Sequence, residues 1–197
     1  MKILIRFLIF KLRMKFLTTG FDDLFLIEPE LLGDGRGWFM RTFSEDLFLE
    51  NIPGFNSKWV QMNHSYSKLR GTFRGMHFQY SPFMETKLIR CISGKIIDYV
   101  IDIRKESKTF LKTFRIELSS SDKKMILVPK GFAHGFFTLE DNTELIYLHD
   151  QFYNPSFESG IRYSDPMINL NFPFDPVEIS KRDLSHPLIE SRKNLYK

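Results

Sequence analysis

From Lys58 to about Leu148 the chain is a succession of short apolar runs separated by turn residues. Lys87–Ser93, Ile96–Ile103, Phe110–Leu118, Met125–Val128 and Leu145–Leu148 are the clearest, with Gly, Pro, Asp and Ser between them. Runs of this length and spacing predict strands that fold into a sandwich or barrel. The 21 Phe residues and a hydrophobic share of 43% provide enough apolar surface for one well-buried core, so a single domain is expected.

Ahead of these runs, Leu24–Pro29 reads as a strand, Asp34-Gly-Arg-Gly37 as a turn and Trp38–Phe43 as a further strand. Ser44 caps the one convincing helix, with Glu45 and Asp46 in the first turn, where the helix dipole favours acids. Asn51 and Pro53-Gly54 stop it. Near Asp165-Pro166 the pattern loosens, and a segment carrying Pro173, Pro176 and Pro187 is expected to wrap the core. The chain divides into a basic apolar extension over residues 1–13, expected outside the fold, one domain over residues 14–187, and a tail over residues 188–197.

The formal net charge of +4 and a pI near 9.1 would suit a nucleic-acid binder. The distribution argues against that class: Lys2, Arg6, Lys11 and Arg13 stand in a stretch without acids, and the remainder of the chain is neutral. The same stretch is interrupted by Arg6 and Lys11, so it cannot span a bilayer, which needs roughly 20 apolar residues. It lacks the small-residue cleavage site of a secretory signal, and Met14 offers a second candidate start. A single cysteine, Cys91, excludes an internal disulfide and a cysteine-built metal centre, and it fits a reducing cytoplasm.

Chemistry-bearing residues stand inside the apolar runs: Gln61, Asn63, Arg74, His77, Lys87, His134 and Tyr147. A strand alternates its faces, so Gln61 and Asn63 share one, as do His77 and Gln79. Polar side chains turned into a small barrel are costly unless something binds them, and their convergence predicts a pocket. Arg74-Gly-Met-His-Phe-Gln79 and Pro129-Lys-Gly-Phe-Ala-His134 resemble the two halves of a cupin signature. That resemblance implies an all-β, jelly-roll (cupin-like) β-barrel with a few short peripheral helices. A metal cupin would place a second histidine two residues beyond His77, and Gln79 stands there. Single histidines without that ligand point to acid–base work by side chains, with no metal and no other cofactor.

Further segments follow in order: Asp34-Gly-Arg-Gly-Trp-Phe39, Gln61-Met-Asn-His-Ser65, Lys87-Leu-Ile-Arg-Cys91, Asp98–Arg104 with Ser107, Glu144–Tyr147, Tyr153-Asn-Pro155, Glu158-Ser-Gly-Ile161, Asp165-Pro166 and Ser180-Lys-Arg-Asp183. With the two cupin-like segments, they make the chain resemble the dTDP-4-dehydrorhamnose 3,5-epimerase family over roughly residues 20 to 185. The resemblance implies epimerisation beside a ketone, in deoxysugar assembly for a surface polysaccharide. A 4-keto group acidifies the hydrogens on C3 and C5, because the carbanion delocalises onto oxygen as an enolate. Inversion then needs a base on one face of the sugar and an acid on the other. By matching position, His77 resembles the base and Asp183 the carboxylate behind it. Tyr147 resembles the acid, and Lys87 would sit by the enolate oxygen with His134 nearby. Arg74 resembles a diphosphate ligand, with Tyr153 expected near the diphosphate, while Arg36, Gln61, Asn63, Glu158 and Arg182 match nucleotide- or sugar-contacting positions. The resemblance also implies a homodimer in which an N-terminal strand joins the partner's sheet. One position departs from the pattern. Where the family commonly carries a glutamate near the base of the nucleotide, this chain has Arg41, a donor in place of an acceptor. That substitution leaves the nucleotide carrier, the exact sugar and the number of inverted centres open.

Other readings stand beside this one. A metal-dependent cupin would have to draw on His77, Glu85 and His134, a thin set. A non-catalytic sugar-binding barrel would keep the pocket without needing His77, Tyr147 and Asp183 together, and a ketoisomerase on the same barrel is a nearer rival. His134 could serve packing alone, and Asp183 could cap a turn. His64 is expected to point outward, and His149 and His186 are expected at the surface.

Overall fold

The computed structural model describes residues 13–189, so the expectations for residues 1–12 and 190–197 lie outside the described part. The strands are β1 (Met14–Thr18), β2 (Phe25–Pro29), β3 (Leu32–Asp34), β4 (Gly37–Phe39), β5 (Gln61–Ser67), β6 (Thr72–Gln79) and β7 (Lys87–Ser93). They continue with β8 (Lys95–Asp102), β9 (Thr113–Ser119), β10 (Met125–Val128), β11 (Phe132–Thr138), β12 (Thr143–His149), β13 (Glu158–Gly160) and β14 (Glu178–Ile179). Two short helices complete the fold, α1 (Glu45–Asn51) and α2 (Lys181–Ser185).

One sheet runs β1-β2-β10-β7-β12-β5 and the other β13-β6-β11-β8-β9, with β14 added beside β6. They form a jelly-roll-like sandwich of two sheets rather than a closed hydrogen-bonded barrel. The strand β8 shows why its sequence reads as an unbroken apolar run. Ile96 and Val100 pack between the sheets with Ile89, Ile126 and Leu145. Ile97, Tyr99 and Ile101 face the other way, where Ile161, Ile168, Leu170 and Ile189 cover them. The proline-containing C-terminal segment therefore wraps the outer face of the second sheet, as its composition suggested. On the first sheet, Phe48 and Ile52 from α1 and its end cover Ile27, Leu88 and Leu127. A fully buried Leu, Ile or Phe side chain contributes about 1.5–3 kcal/mol, so both coverings stabilise the strands beneath them.

Several local expectations are corrected. The strand expected over Trp38–Phe43 is only Gly37–Phe39, because β3 and β4 make an isolated two-stranded hairpin and Met40 then turns inward to be buried. The strand expected from Phe110 begins at Thr113, because Leu111 has a φ of 58° and residues 107–112 turn beneath Asp102. Ser44 holds the N-cap position of α1, but its hydroxyl donates to the Asp46 carboxylate instead of capping a helical N–H. Among the described residues no helix is long and apolar enough to cross a membrane.

Candidate active site

Period-two alternation alone would put Arg74 and His77 on opposite faces of β6. The structure brings both to the inner side through an extra residue. His134 on β11 pairs with His77 while Phe136 pairs with Arg74, so β6 bulges between them. Gly75 sits in that bulge with a φ of 148°, and a Cβ there would come within 2.6 Å of the Gly135 Cα. The two glycines thus allow the strands to approach closely enough to set His77 beside His134.

Inward positions of both sheets converge on one hollow of about 240 Å³, lined by Asn63, Ser65, Arg74, His77, Lys87, His134, Phe136, Tyr147 and His149. Arg74 and His77 also line an adjoining hollow of about 380 Å³ that Arg182 and Asp183 close from the C-terminal side. A separate hollow near Phe55 and Lys130 contains no histidine.

Asp183 reaches His77 although 106 residues separate them, because β14 pairs in parallel with β6 and delivers α2 to the site. Ser180 accepts from the Asp183 N–H, so the turn is capped by the serine and the Asp183 carboxylate is left for His77. Asp183 Oδ1 lies 2.8 Å from His77 Nε2, and Gly75 N–H donates to Oδ2 at 3.3 Å. Burial alone would raise this carboxyl, but the His77 bond and charge, with Gly75 and Ser180, hold it below the ordinary value of 3.8. A carboxylate only accepts, so Nε2 carries the hydrogen and Nδ1 keeps the lone pair.

His134 repeats the arrangement, with Nε2 2.8 Å from Asp98 Oδ2. Asp98 is wholly buried, its Oδ1 has no partner, and burial pushes its carboxyl up against the pull of His134. From the facing sheet, Tyr147 shares a hydrogen bond with Ser65 at 2.9 Å, and burial raises its phenol above the usual tyrosine value, so it stays protonated. Its ring centroid lies 6.4 Å from that of His134.

The cation Lys87 is nearly buried, with its Nζ 3.0 Å from Glu85 Oε1. Arg74 is held by Ser67 and the Tyr66 carbonyl and keeps much of its guanidinium exposed. Along the rim, Gln61 bonds Asn63 at 3.1 Å and accepts from Tyr153 N–H. Glu158 Oε2 takes both the Tyr153 hydroxyl, at 2.7 Å, and Arg182, at 3.0 Å. Arg36 and Arg41 do not line either hollow: Arg36 is paired with Asp34 on the β3–β4 hairpin, and Arg41 is exposed just beyond it.

Three histidine expectations are resolved. His64 is exposed and bonded to Glu144, as expected. His149 and His186, expected at the surface, are not there. His149 is only 7% exposed and its Nδ1 lies 2.7 Å from Glu85. Its position two residues after Tyr147, on the same face of β12, was the signal that could have found it. His186 packs edge-on to His77, with ring centroids 5.7 Å apart, in space that a Cβ on Gly160 would fill. Asp98 and Ser65 are likewise not placed in the pocket by sequence, and Glu85 enters there only as a ligand in the metal-cupin alternative, whereas it pairs with His149 and Lys87.

The ligating atoms of His77, Asp183 and His186 lie within 4.8 Å of one another. Arg182 opposes a cation there, with its guanidinium 3.4 Å from His77 Nε2 and 3.7 Å from Asp183 Oδ1. Gln79, at the usual cupin ligand position, donates to the carbonyls of Phe83 and Phe152 and accepts from Asn154 N–H, which engages both its N–H donors and its oxygen.

The family model described as dTDP-4-dehydrorhamnose 3,5-epimerase matches residues 18–191. A Shigella flexneri enzyme of that description is 39% identical over 172 residues, covering 87% of this chain and 94% of its own. A Bacillus anthracis dTDP-4-dehydrorhamnose 3,5-epimerase crystal structure, with TDP and pyrophosphate bound, superposes with a TM-score of 0.85 at 39% identity, covering 90% of this chain and all of that one. A Legionella pneumophila dTDP-6-deoxy-D-glucose-3,5-epimerase in complex with dTDP-4-keto-L-rhamnose gives a TM-score of 0.85 at 34% identity, covering 91% of this chain and 94% of that one.

Proposed function

The chain belongs to the dTDP-4-dehydrorhamnose 3,5-epimerase family, and from that premise we propose that it inverts C3 and C5 of a dTDP-linked 4-keto-6-deoxy sugar through enolates. The observation that carries the mechanism is the disposition of His77 and Tyr147, which line one hollow from facing sheets. His77 Nδ1 takes the proton from carbon, and the C–H electron pair moves into the ring and onto the ketone oxygen. Asp183 stabilises the imidazolium that results. Lys87 and His134 stabilise the developing oxyanion. Tyr147 gives its hydroxyl proton to the carbon from the opposite face, and that step inverts the centre.

Arg74 lines both hollows, which suits a diphosphate ligand between a sugar in the inner hollow and a nucleotide in the outer one. Gln61, Asn63, Tyr153, Glu158 and Arg182 form the polar rim that the nucleotide-sugar would contact. The reaction as drawn uses no metal and no nicotinamide. The structural hydrogen bonds that engage both ends of the Gln79 amide and the charge of Arg182 support that reading.

The protein in this reading is a cytoplasmic homodimer. The edge position of β1 and the exposed Trp38 and Phe39 of the β3–β4 hairpin support the dimer. The hairpin is then the element that would carry Arg36 and Arg41 to a partner's cleft, and Arg41 would meet the nucleotide there. Light scattering after size-exclusion chromatography tests the assembly.

Incubation with dTDP-4-keto-6-deoxyglucose in deuterated water, followed by NMR at C3 and C5, tests the chemistry. Deuterium at both carbons is expected. Label at one carbon makes the enzyme a mono-epimerase. Label only with another nucleotide's 4-keto sugar assigns the Arg41 change to carrier choice. No label with any such sugar, or a stoichiometric transition metal in the purified protein, overturns the reading.

A further inference from the structure

We infer that His149 is a substrate-contacting residue that accepts a hydrogen bond from a hydroxyl of the sugar ring, and that Glu85 positions both it and Lys87. The inference rests on the proposed nucleotide-sugar reading of the cleft. His149 and Lys87 are cross-strand partners on β12 and β7. Glu85 bridges them, with Oε2 2.7 Å from His149 Nδ1 and Oε1 3.0 Å from Lys87 Nζ. All three side chains are nearly buried, at 9%, 11% and 11% exposure. Such a trio is costly to bury unless each member is paired.

The bridge fixes the chemistry of the histidine. A carboxylate cannot donate, so His149 Nδ1 bears the hydrogen and Nε2 presents a lone pair. Nε2 faces Asn63 Nδ2 at 3.3 Å, a long contact from another residue lining the same hollow. A sugar hydroxyl donating to Nε2 would make a shorter bond than that one. The Tyr147 ring lies beside this acceptor, 6.2 Å between centroids, so a hydroxyl held at His149 also sets where the ring carbons stand relative to the proton donor. Glu85 acts differently. Burial would raise its carboxyl, but the hydrogen bond to His149 and the charge of Lys87 hold it below its ordinary value, so as a carboxylate it pairs with the Lys87 ammonium and accepts from His149 Nδ1–H.

Two variants and two substrate analogues test this. His149→Asn keeps an amide for Glu85 and removes the acceptor at the Nε2 position, whereas His149→Gln keeps a polar atom there. On the full substrate, His149→Asn is expected to raise KM about tenfold, the worth of one net hydrogen bond, with a smaller change in kcat, and His149→Gln to recover part of it. On the analogue lacking the relevant ring hydroxyl, 2-deoxy or 3-deoxy, the wild type loses about the same factor and His149→Asn costs nothing more. Affinity for dTDP alone, by calorimetry, stays within about twofold in both variants, because in the proposed reading the nucleotide lies in the outer hollow and His149 lines the inner one. Equal losses for His149→Asn on all three substrates, or a parallel loss of dTDP affinity, would overturn the assignment. Wild-type protein that exchanges neither C3 nor C5 of any substrate would instead sink the epimerase reading itself.

Discussion

Replacing Asp183 with Asn tests the proposed base at its support rather than at His77 itself. The carboxylate is 3% exposed and lies 2.8 Å from His77 Nε2. A hydrogen bond to a charged group of this kind contributes about 1.5–3 kcal/mol, and each 1.4 kcal/mol is a factor of ten, so losing the charge slows proton abstraction by about tenfold to hundredfold. The amide adds a second effect. If its NH2 turns toward Nε2, the imidazole must carry its hydrogen on Nδ1, and the basic lone pair is gone. Deuterium wash-in at C3 and C5 should therefore fall together by at least about tenfold in Asp183→Asn, with dTDP affinity kept. The same carboxyl predicts an acid-stability difference. Its folded value is below its ordinary 3.8, so its contribution is fully present above that value and is lost as pH falls through the lowered one. The stability gap between wild type and variant should be constant near neutrality and shrink below pH 3.8, read by denaturant melts at several pH values. Wild-type wash-in at both carbons would refute the His77–Asp183 couple, and slowing at one carbon only would mean a different base serves the other.

Other perturbations separate the remaining roles. Tyr147→Phe should uncouple exchange from inversion: deuterium still enters through His77, but inverted product falls about 10²- to 10⁴-fold, measured by NMR of the product sugar. Arg74→Lys should raise KM for the nucleotide-sugar about tenfold or more while leaving kcat nearly unchanged, because an ammonium cannot make a bidentate contact with diphosphate. Gly135→Ala should destabilise the protein by about 1–3 kcal/mol in denaturant melts, because its Cβ would meet backbone atoms of β6, the Arg74 carbonyl at 2.7 Å and the Gly75 Cα at 2.9 Å.

What the sequence could reveal follows from the range of each interaction. Strands covered on both faces, such as β7, β8 and β10, are legible as continuous apolar runs, since burial acts on every residue. The β3–β4 hairpin is less so, because Trp38 and Phe39 stay exposed, with the Lys123 ammonium over the Trp38 ring, and burial makes no demand for length. His77, Lys87, His134 and Tyr147 stand out as polar residues in apolar strands, and period two sends Lys87 and Tyr147 inward without help. Arg74 joins His77 only through the bulge at Gly75, a two-strand event that one-strand alternation does not contain. Asp183 is harder still, since its place depends on β14 docking on β6 more than a hundred residues away in sequence.

The carboxylates show the same limit more sharply. Asp98, Asp183 and Glu85 each hold a histidine at 2.7–2.8 Å. In sequence Asp98 is an acid inside a strand, Asp183 a residue of a charged turn and Glu85 a residue of a loop before a strand. None of these contexts announces a partner. An imidazole whose second nitrogen faces a carboxylate is set in one tautomer, and that setting decides whether it offers the cleft a base or an acceptor. The pocket's chemistry is therefore carried as much by the three paired acids as by the histidines that the sequence displays. A reading from spacing alone finds the histidines and leaves His149 on the surface. The paired carboxylate Glu85 brings it into the site.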